Sequence, residues 1–173
     1  MHLTVTALRG MLNSAIKLGM PKIDLDSAPE RTGSRYPSPF DEPCRARHNL
    51  QLGTAAGLTQ FGVNLTTLPP GAWSSQRHFH THEDELVYVL EGELVLVEDG
   101  GEQVLGPGDC AGFKAGVRNG HHLVNRSDRV ARMLTIGSRN DEDSGEYPDI
   151  DMAFLPGRYS GKGGFTKKDG TRY

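Results

Sequence analysis

Cysteine is scarce in this chain, whose 173 residues include only Cys44 and Cys110. Two cysteines cannot build a disulfide framework or an all-cysteine zinc site, and their scarcity favours a reducing, cytoplasmic location. Long apolar runs are also missing, since none approaches the ~20 residues that a membrane-spanning helix needs. The formal net charge is only −3, and such a balance offers no basic surface to nucleic acid or to an anionic membrane. We therefore expect neither kind of partner.

Turn-forming residues are abundant, with 22 glycines and 10 prolines, which together exceed average usage. Between residues 59 and 137, short apolar stretches alternate with turn signals such as Asp99-Gly100. Phe61, Val63 and Leu65 alternate with small or polar residues, which is typical of a half-buried strand. Many short strands separated by turns predict an all-β sandwich or barrel.

The chain divides into three segments by composition. We expect an N-terminal segment with a proline-rich arm at residues 1–57, a barrel at 58–140 and a C-terminal tail packing on the barrel at 141–173. Met1–Gly19 has apolar residues at helical spacing, which fits a short amphipathic arm, a helix on a partner subunit, or translation upstream of a natural start at Met20. The tail begins with six acidic and no basic side chains in eleven residues, and we expect most of that stretch to be solvated.

Three histidines, His78, His80 and His82, fall within five residues. Alternate residues of a strand share a face, so His78 and His80 point the same way and can bind one metal ion. Glu85 joins that face only if the intervening residues form a turn or bulge and a new strand begins at Glu85. His82 is then a turn residue or a supporting group rather than a ligand.

The strand that begins at Glu85 has two apolar faces. Val87 and Val89 share the face of Glu85 and can line a barrel interior. The opposite face carries Leu86, Tyr88 and Leu90. Either the proline-rich arm or a second subunit must cover that second face, and we expect a homodimer.

A further histidine pair lies at His121 and His122. Only one of two adjacent strand residues can face inward, and His121 shares parity with Leu123 and Asn125. The pattern of the pair alone does not decide which histidine joins the cluster.

Residues 58–137 resemble the cupin superfamily, whose members are small jelly-roll or double-stranded β-helix barrels. The first cupin motif is matched in full from its first histidine onward by His78, His80, Glu85 and Gly92. Its leading glycine is Gly71, which is followed by a spacer one residue longer than usual. The second is matched in part by Gly108, Gly116, His121 and Asn125. Lys114 stands where that motif has proline, and the loop before the histidine is two residues longer. The His-x-x-x-Asn register favours His121 over His122.

The resemblance implies a metal site formed by His78, His80, Glu85 and His121. Nitrogen and oxygen donors of this kind suit one divalent transition metal, namely Zn, Mn, Fe, Ni or Co, better than Ca or Mg. Stretches such as Pro69–His78 look like a group of bacterial single-domain cupins, some of which are called sugar-phosphate isomerases, largely by analogy.

We therefore expect a small polar metabolite as the ligand and isomerisation of a sugar phosphate as the leading reaction. A metal-dependent dioxygenase and a non-catalytic ligand-binding protein are the alternatives. The nearest candidate bases are His82, Glu83 and Asp84, among which the sequence does not choose. The basic groups nearest the motif could hold a phosphate or carboxylate, or could be ordinary loop charges: Arg77, Lys114 and Arg118.

Overall fold

The structure is a computed structural model that describes residues 22–173. Its strands are β1 Glu30–Thr32, β2 His48–Leu50, β3 Phe61–Leu68, β4 Glu85–Glu91, β5 Leu94–Glu98, β6 Gly101–Leu105, β7 Cys110–Phe113, β8 His122–Val124, β9 Ala131–Ser138, β10 Gly145–Tyr147, β11 Met152–Leu155 and β12 Gly164–Thr166. One short helix, α1, spans Leu52–Ala55, and 3₁₀ turns span Leu25–Ser27 and Glu42–Cys44. The segment Met1–Gly19 lies outside the described residues. Among residues 22–173, no helix is long and apolar enough to cross a membrane.

The strands form three antiparallel sheets. The largest has the order β1-β2-β3-β9-β4-β7, a second has the order β6-β5-β8, and a third, from the predicted tail, has the order β10-β11-β12. The predicted all-β jelly-roll class is confirmed. The division of the chain at residues 57 and 140 stays a prediction, and β1 and β2 of the arm extend the largest sheet.

The core lies between the first two sheets. Side chains along β4 alternate between this core and the outer face of the sheet. Val87 and Val89 are fully buried, as predicted, because successive side chains of a strand point to opposite faces. Residues from both sheets complete this core: Leu68, Ala72, Leu94, Leu96, Leu105, Leu123, Ala131 and Met133.

Gly92 forms the turn between β4 and β5, and no other residue fits there. Its φ is +77°, and a Cβ atom at this position would lie 2.6 Å from the carbonyl oxygen of Val130. Both the left-handed backbone and the close approach require glycine, which accounts physically for the final glycine of the first motif.

The arm packs on the third sheet and leaves the outer face of β4 uncovered. The ring of Tyr36 meets those of Tyr147 and Phe165 edge-on at centroid distances of 5.4 and 5.5 Å. In a single chain, the outward side chains of β4 remain 40 to 45% exposed: Leu86, Tyr88 and Leu90. We expect either the arm or a second subunit to cover this face. The described part of the arm does not cover it.

The third sheet lies directly against the segment that carries the histidines. Backbone N–H groups of Phe79 and Thr81 donate to Glu146 O at 3.3 Å and Ser144 O at 2.9 Å. A Cβ atom on Gly145 would lie 1.9 Å from the carbonyl oxygen of Phe79. Only glycine allows the tail to approach this closely, so the tail forms one wall of the histidine segment.

Candidate metal centre

His78 and His80 lie in extended chain between β3 and β4, outside any regular strand. His78 makes one antiparallel bridge with His121, with backbone N···O distances of 2.9 and 3.2 Å. The backbone on either side of His80 pairs with the tail instead, so no continuous ladder forms. The alternation holds nevertheless, and β4 begins at Glu85 after a turn, as the sequence predicts.

The structure brings His78, His80, Glu85 and His121 together. The Nε2 atoms of His78 and His80 are 3.1 Å apart, and Glu85 Oε2 lies 3.8 Å from His80 Nε2 and 3.6 Å from His121 Nε2. Two donors held at ~2.1 Å by one transition-metal ion lie about 3.0–3.4 Å from each other. The spacing of His78, His80 and Glu85 therefore suits a single ion, and His121 adjoins this group through Glu85.

In His78 and His80, the hydrogen bond made by Nδ1 determines which ring nitrogen carries the lone pair. His78 Nδ1 donates to Gln76 O at 2.9 Å, and His80 Nδ1 donates to Asp143 Oδ2 at 2.6 Å. With the proton on Nδ1, the lone pair of each ring is on Nε2 and faces the cluster. This is the arrangement of a metal-binding histidine.

His121 and His122 have different surroundings. His121 Nε2 is buried with no hydrogen-bond partner among residues 22–173, and its ring stacks on Phe113 at a centroid distance of 3.5 Å. His122 instead donates from Nδ1 to Ser75 O at 3.0 Å and packs edge-on against Trp73. An unpaired buried nitrogen costs about 1–3 kcal/mol, and a metal ion among the four side chains would satisfy it. The donor set fits a divalent transition metal.

The charges of the cluster also suit a metal ion. Burial alone would raise the pKa of Glu85, but the imidazoles of His121, His78 and His80 lower it to about 2. Burial lowers the pKa of His78 well below its usual value, and the neighbouring His80 and His121 lower it further. A carboxylate at Glu85 and a neutral imidazole at His78 are the protonation states that bind metal.

Asp143 is the functional residue that the sequence pattern missed. Its side chain is 1% exposed, and besides His80 Nδ1 it accepts the backbone N–H of His82 at 2.8 Å. Burial would raise the pKa of Asp143, but the hydrogen bond with His80, the backbone hydrogen bonds of His82 and Glu83 and the charge of His80 together lower it. The expectation of a solvated acidic stretch is wrong at this position, and no local signal separates Asp143 from the exposed Glu142 beside it.

Two cavities meet at the cluster. The larger, of about 510 Å³, is lined by His78, His80 and Glu85, and the smaller, of about 190 Å³, is lined by His80 and His121. Glu83 lines both cavities and is only 5% exposed. The cluster is therefore open to small molecules from two sides.

The other candidates from the sequence lie in less favourable positions. His82 and Asp84 are exposed, and Asp84 Oδ1 already accepts the backbone N–H of Ala115 at 2.8 Å. Arg77, considered above as an anion-binding group, is neutralised by Asp149 and Asp99. Of the other two basic groups, Arg118 covers the Phe79 ring at 5.6 Å, and Lys114 lines only the smaller cavity.

Comparison with known proteins identifies a matching family model and similar solved structures. The family model described as "Cupin domain" matches residues 64–137. The crystal structure of a sugar phosphate isomerase from a cupin superfamily of Silicibacter pomeroyi is 50% identical, with a TM-score of 0.83 over 88% of this chain and 96% of that one. A provisionally named sugar phosphate isomerase from Acidithiobacillus ferrooxidans is 30% identical, with a TM-score of 0.67 over 74% of this chain and 80% of that one.

One curated relative carries a different activity in its name. It is the beta-D-galactosidase Rv1717 of Mycobacterium tuberculosis, which is 39% identical over 83 residues. The match covers 47% of this chain and 68% of that protein. The names of these relatives therefore describe two different reactions.

The fourth ligand can be tested by paired substitutions. We expect His121→Ala to lower metal affinity at least tenfold, because it removes a donor, and His122→Ala to leave affinity within about twofold. Competition against a chromophoric chelator measures both, and circular dichroism checks that each variant is folded. Loss of affinity in His122→Ala with none in His121→Ala would contradict the assignment.

The role of Asp143 predicts a second effect on metal binding. Asp143→Asn weakens the acceptor for His80 Nδ1, and we expect metal affinity to fall about 10- to 100-fold. The exposed neighbour variant Glu142→Gln is the matched control and should bind metal like the wild type. Equal affinities in the same chelator competition for Asp143→Asn and the wild type would show that Asp143 has no such role.

Proposed function

This chain belongs to the cupin family, and from that premise we propose that it is a metal-dependent isomerase of sugar phosphates. The observation that supports this reaction is the larger cavity, where the His78–His80–Glu85 cluster and the buried carboxylate of Glu83 line the same space. An isomerase of this kind needs a site for a metal ion and a group that carries a proton. The names of two similar structures point the same way.

A divalent ion bound by these side chains would supply Lewis-acid chemistry, which polarises the adjacent carbonyl and hydroxyl oxygens of an acyclic sugar. The protein's own contribution is to keep the imidazole and carboxylate donors facing one point. Hydrogen bonds from His78 to Gln76 and from His80 to Asp143 do this. The cavity wall then orients the rest of the substrate.

We assign the proton transfer to Glu83. Its Oε1 accepts hydrogen bonds from Tyr159 Oη at 2.7 Å and from the backbone N–H of Asn140 at 2.9 Å. Its Oε2 is 3.5 Å from Arg158 and 3.9 Å from His80 Nδ1. Two hydrogen bonds thus fix Oε1 in place, and Oε2, which has only the longer contacts, is the oxygen that we expect to exchange a proton.

The proposed step balances without an external oxidant. Glu83 Oε2 accepts the proton from the hydroxyl-bearing carbon next to the carbonyl, and the electron pair of that C–H bond forms a carbon–carbon double bond as the carbonyl oxygen becomes an enediol oxygen. The same carboxyl group returns the proton to the former carbonyl carbon. The hydroxyl proton of the neighbouring carbon passes to the former carbonyl oxygen, and the electron pair of that O–H bond forms the new carbonyl as the carbon–carbon double bond takes up the returned proton.

Turnover in deuterated water tests the proposal. Protein loaded in turn with Zn, Mn, Fe, Ni and Co is incubated with a panel of aldose and ketose phosphates, and products are followed by NMR. We expect an isomer that carries solvent deuterium. Glu83→Gln should lower kcat about 10²- to 10⁴-fold with unchanged metal content, while Glu142→Gln should keep full activity.

Two outcomes would overturn the isomerase proposal. One is the absence of any isomer with all five metals bound at full occupancy. The other is hydrolysis of a β-galactoside without isomerisation of any sugar phosphate, which would align the chain with the Mycobacterium tuberculosis relative instead.

We also propose that two copies pair through the outer face of the largest sheet. In that face Val63 and Leu86 flank Ile136, and the neighbouring row has Leu65, Leu134 and Tyr88. These rows form an apolar surface across three strands, and surfaces of that kind in soluble proteins mark interfaces. The cytoplasmic location expected from the scarcity of cysteine stays a prediction.

Light scattering measures the proposed pairing. We expect a mass twice the 18.9 kDa of one chain, and Tyr88→Glu should halve it, because a carboxylate cannot be buried in an apolar interface without a partner. Val104→Glu changes a 63% exposed residue on the second sheet and is the control. A wild-type mass of 18.9 kDa at micromolar concentration would exclude the dimer.

A further inference from the structure

The larger cavity is lined by several arginines as well as by residues of the metal-binding cluster. The arginines on its wall are Arg31, Arg35, Arg47, Arg139 and Arg158. The carboxylates on the same wall are Glu83, Asp84 and Glu85. Glu85 belongs to the metal-binding cluster, where its charge would be matched by an ion. The arginine part of the cavity therefore has more positive than negative charge.

Two of the five arginines hold the chain together. Arg47 donates to Ser74 O and to Gly33 O, the latter at 2.8 Å. Arg139 donates to Leu58 O at 2.7 Å, and its guanidinium lies 5.8 Å from the centre of the Tyr159 ring. Hydrogen bonds to backbone carbonyls fix these side chains but leave their charges uncompensated.

The other three guanidinium groups are available to a ligand. Arg158 is 54% exposed, and its contact with Glu83 is long, at 3.5 Å. Arg31 and Arg35 are exposed and make no ion pair or side-chain hydrogen bond within residues 22–173. Neither is committed to a structural role.

The arginines are close enough to repel each other. The pKa of Arg31 is lowered, first by burial and then by the charges of Arg35, Arg47 and Arg158. A guanidinium cannot lose its proton at physiological pH, so the repulsion remains until an anion enters. An anion among these groups would replace several repulsive interactions with attractive ones.

The segments that carry these arginines lie outside the region matched by the cupin model. Arg31 is in β1, Arg35 follows in the arm, and Arg158 lies between β11 and β12, whereas the model matches residues 64–137. The barrel supplies the proposed ligands of the ion, and the arm and the tail supply the positive charge. This chain's own additions to the barrel therefore shape what the cavity can bind.

We propose that Arg31, Arg35 and Arg158 form the subsite for the phosphate of the substrate. A phosphomonoester carries a charge of about −1.5 to −2 at neutral pH and has three acceptor oxygens, which suits three guanidinium groups. The reacting carbons would then lie near Glu83, whose Oε2 is 3.5 Å from Arg158, and near the metal-binding cluster. This assignment rests on the proposed function and adds the residues that select a phosphorylated sugar.

Calorimetric titration with inorganic phosphate tests the subsite directly. The Arg31→Gln/Arg35→Gln double variant should bind phosphate about tenfold or more weakly than the wild type, because it removes two charge-assisted contacts. The control variant Arg126→Gln/Arg129→Gln removes the same charge from exposed positions that do not line the larger cavity and should bind within about twofold of the wild type. Melting temperature and metal content should be unchanged in both.

The titration is repeated on metal-free protein, where phosphate cannot bind an ion. We expect the arginine dependence to persist there. Equal phosphate affinity in the wild type and the Arg31→Gln/Arg35→Gln variant, or no phosphate binding by the wild type at millimolar concentration, overturns the proposal. Arginine-dependent binding of malonate that is tighter than that of phosphate overturns the choice of phosphate over a dicarboxylate.

Kinetics separate this proposal from the proposed function. If phosphate binding depends on the two arginines but no sugar phosphate is isomerised, the subsite stands and the isomerase proposal fails. If sugar phosphates are isomerised and KM is the same in the double variant and the wild type, the isomerase stands and the subsite fails. Both proposals are supported when sugar phosphates are isomerised and the double variant has a KM about tenfold above that of the wild type with little change in kcat.

Discussion

The hydrogen bond between His80 and Asp143 is the contact on which the rest of the site depends. It joins two buried side chains 63 residues apart at 2.6 Å, and it fixes the tautomer that turns His80 Nε2 toward Glu85 and His78. The same carboxylate holds the backbone of His82 and so shapes the turn that precedes β4. Without this contact, the tail would lose one of its links to the histidine segment and His80 would keep an unsatisfied buried N–H.

The features that could be predicted from the sequence are those set by local geometry. Alternation along β4 places Val87 and Val89 in the core, and the turn before Glu85 returns this carboxylate to the histidine face. The resemblance to cupins added His121, whose register the histidine pair alone could not decide. The inferences about β4 and Glu85 use residues close together in the chain, where strand periodicity and turn chemistry act directly, whereas His121 follows only from the resemblance.

The features that could not be predicted depend on contacts between distant segments. Asp143 and Glu142 are adjacent acidic residues, yet only Asp143 is buried, because only its side chain meets His80. Arg77 is next to the first motif histidine but is paired with Asp149, 72 residues away. The arginines that do line the larger cavity come from both ends of the described chain. Sequence proximity to the motif is therefore a poor guide to which charges face the cavity.

The close contact of Gly145 with Phe79 has a consequence for the order of assembly. The histidine segment leaves the ribosome about 65 residues before Gly145 does, so a nascent barrel first exposes its imidazoles without their carboxylate partner. Domains generally fold as units during synthesis, and here the last strands complete the unit by docking on the earlier ones. The docking of the tail therefore completes the pocket after the barrel segments have been made, late in biosynthesis.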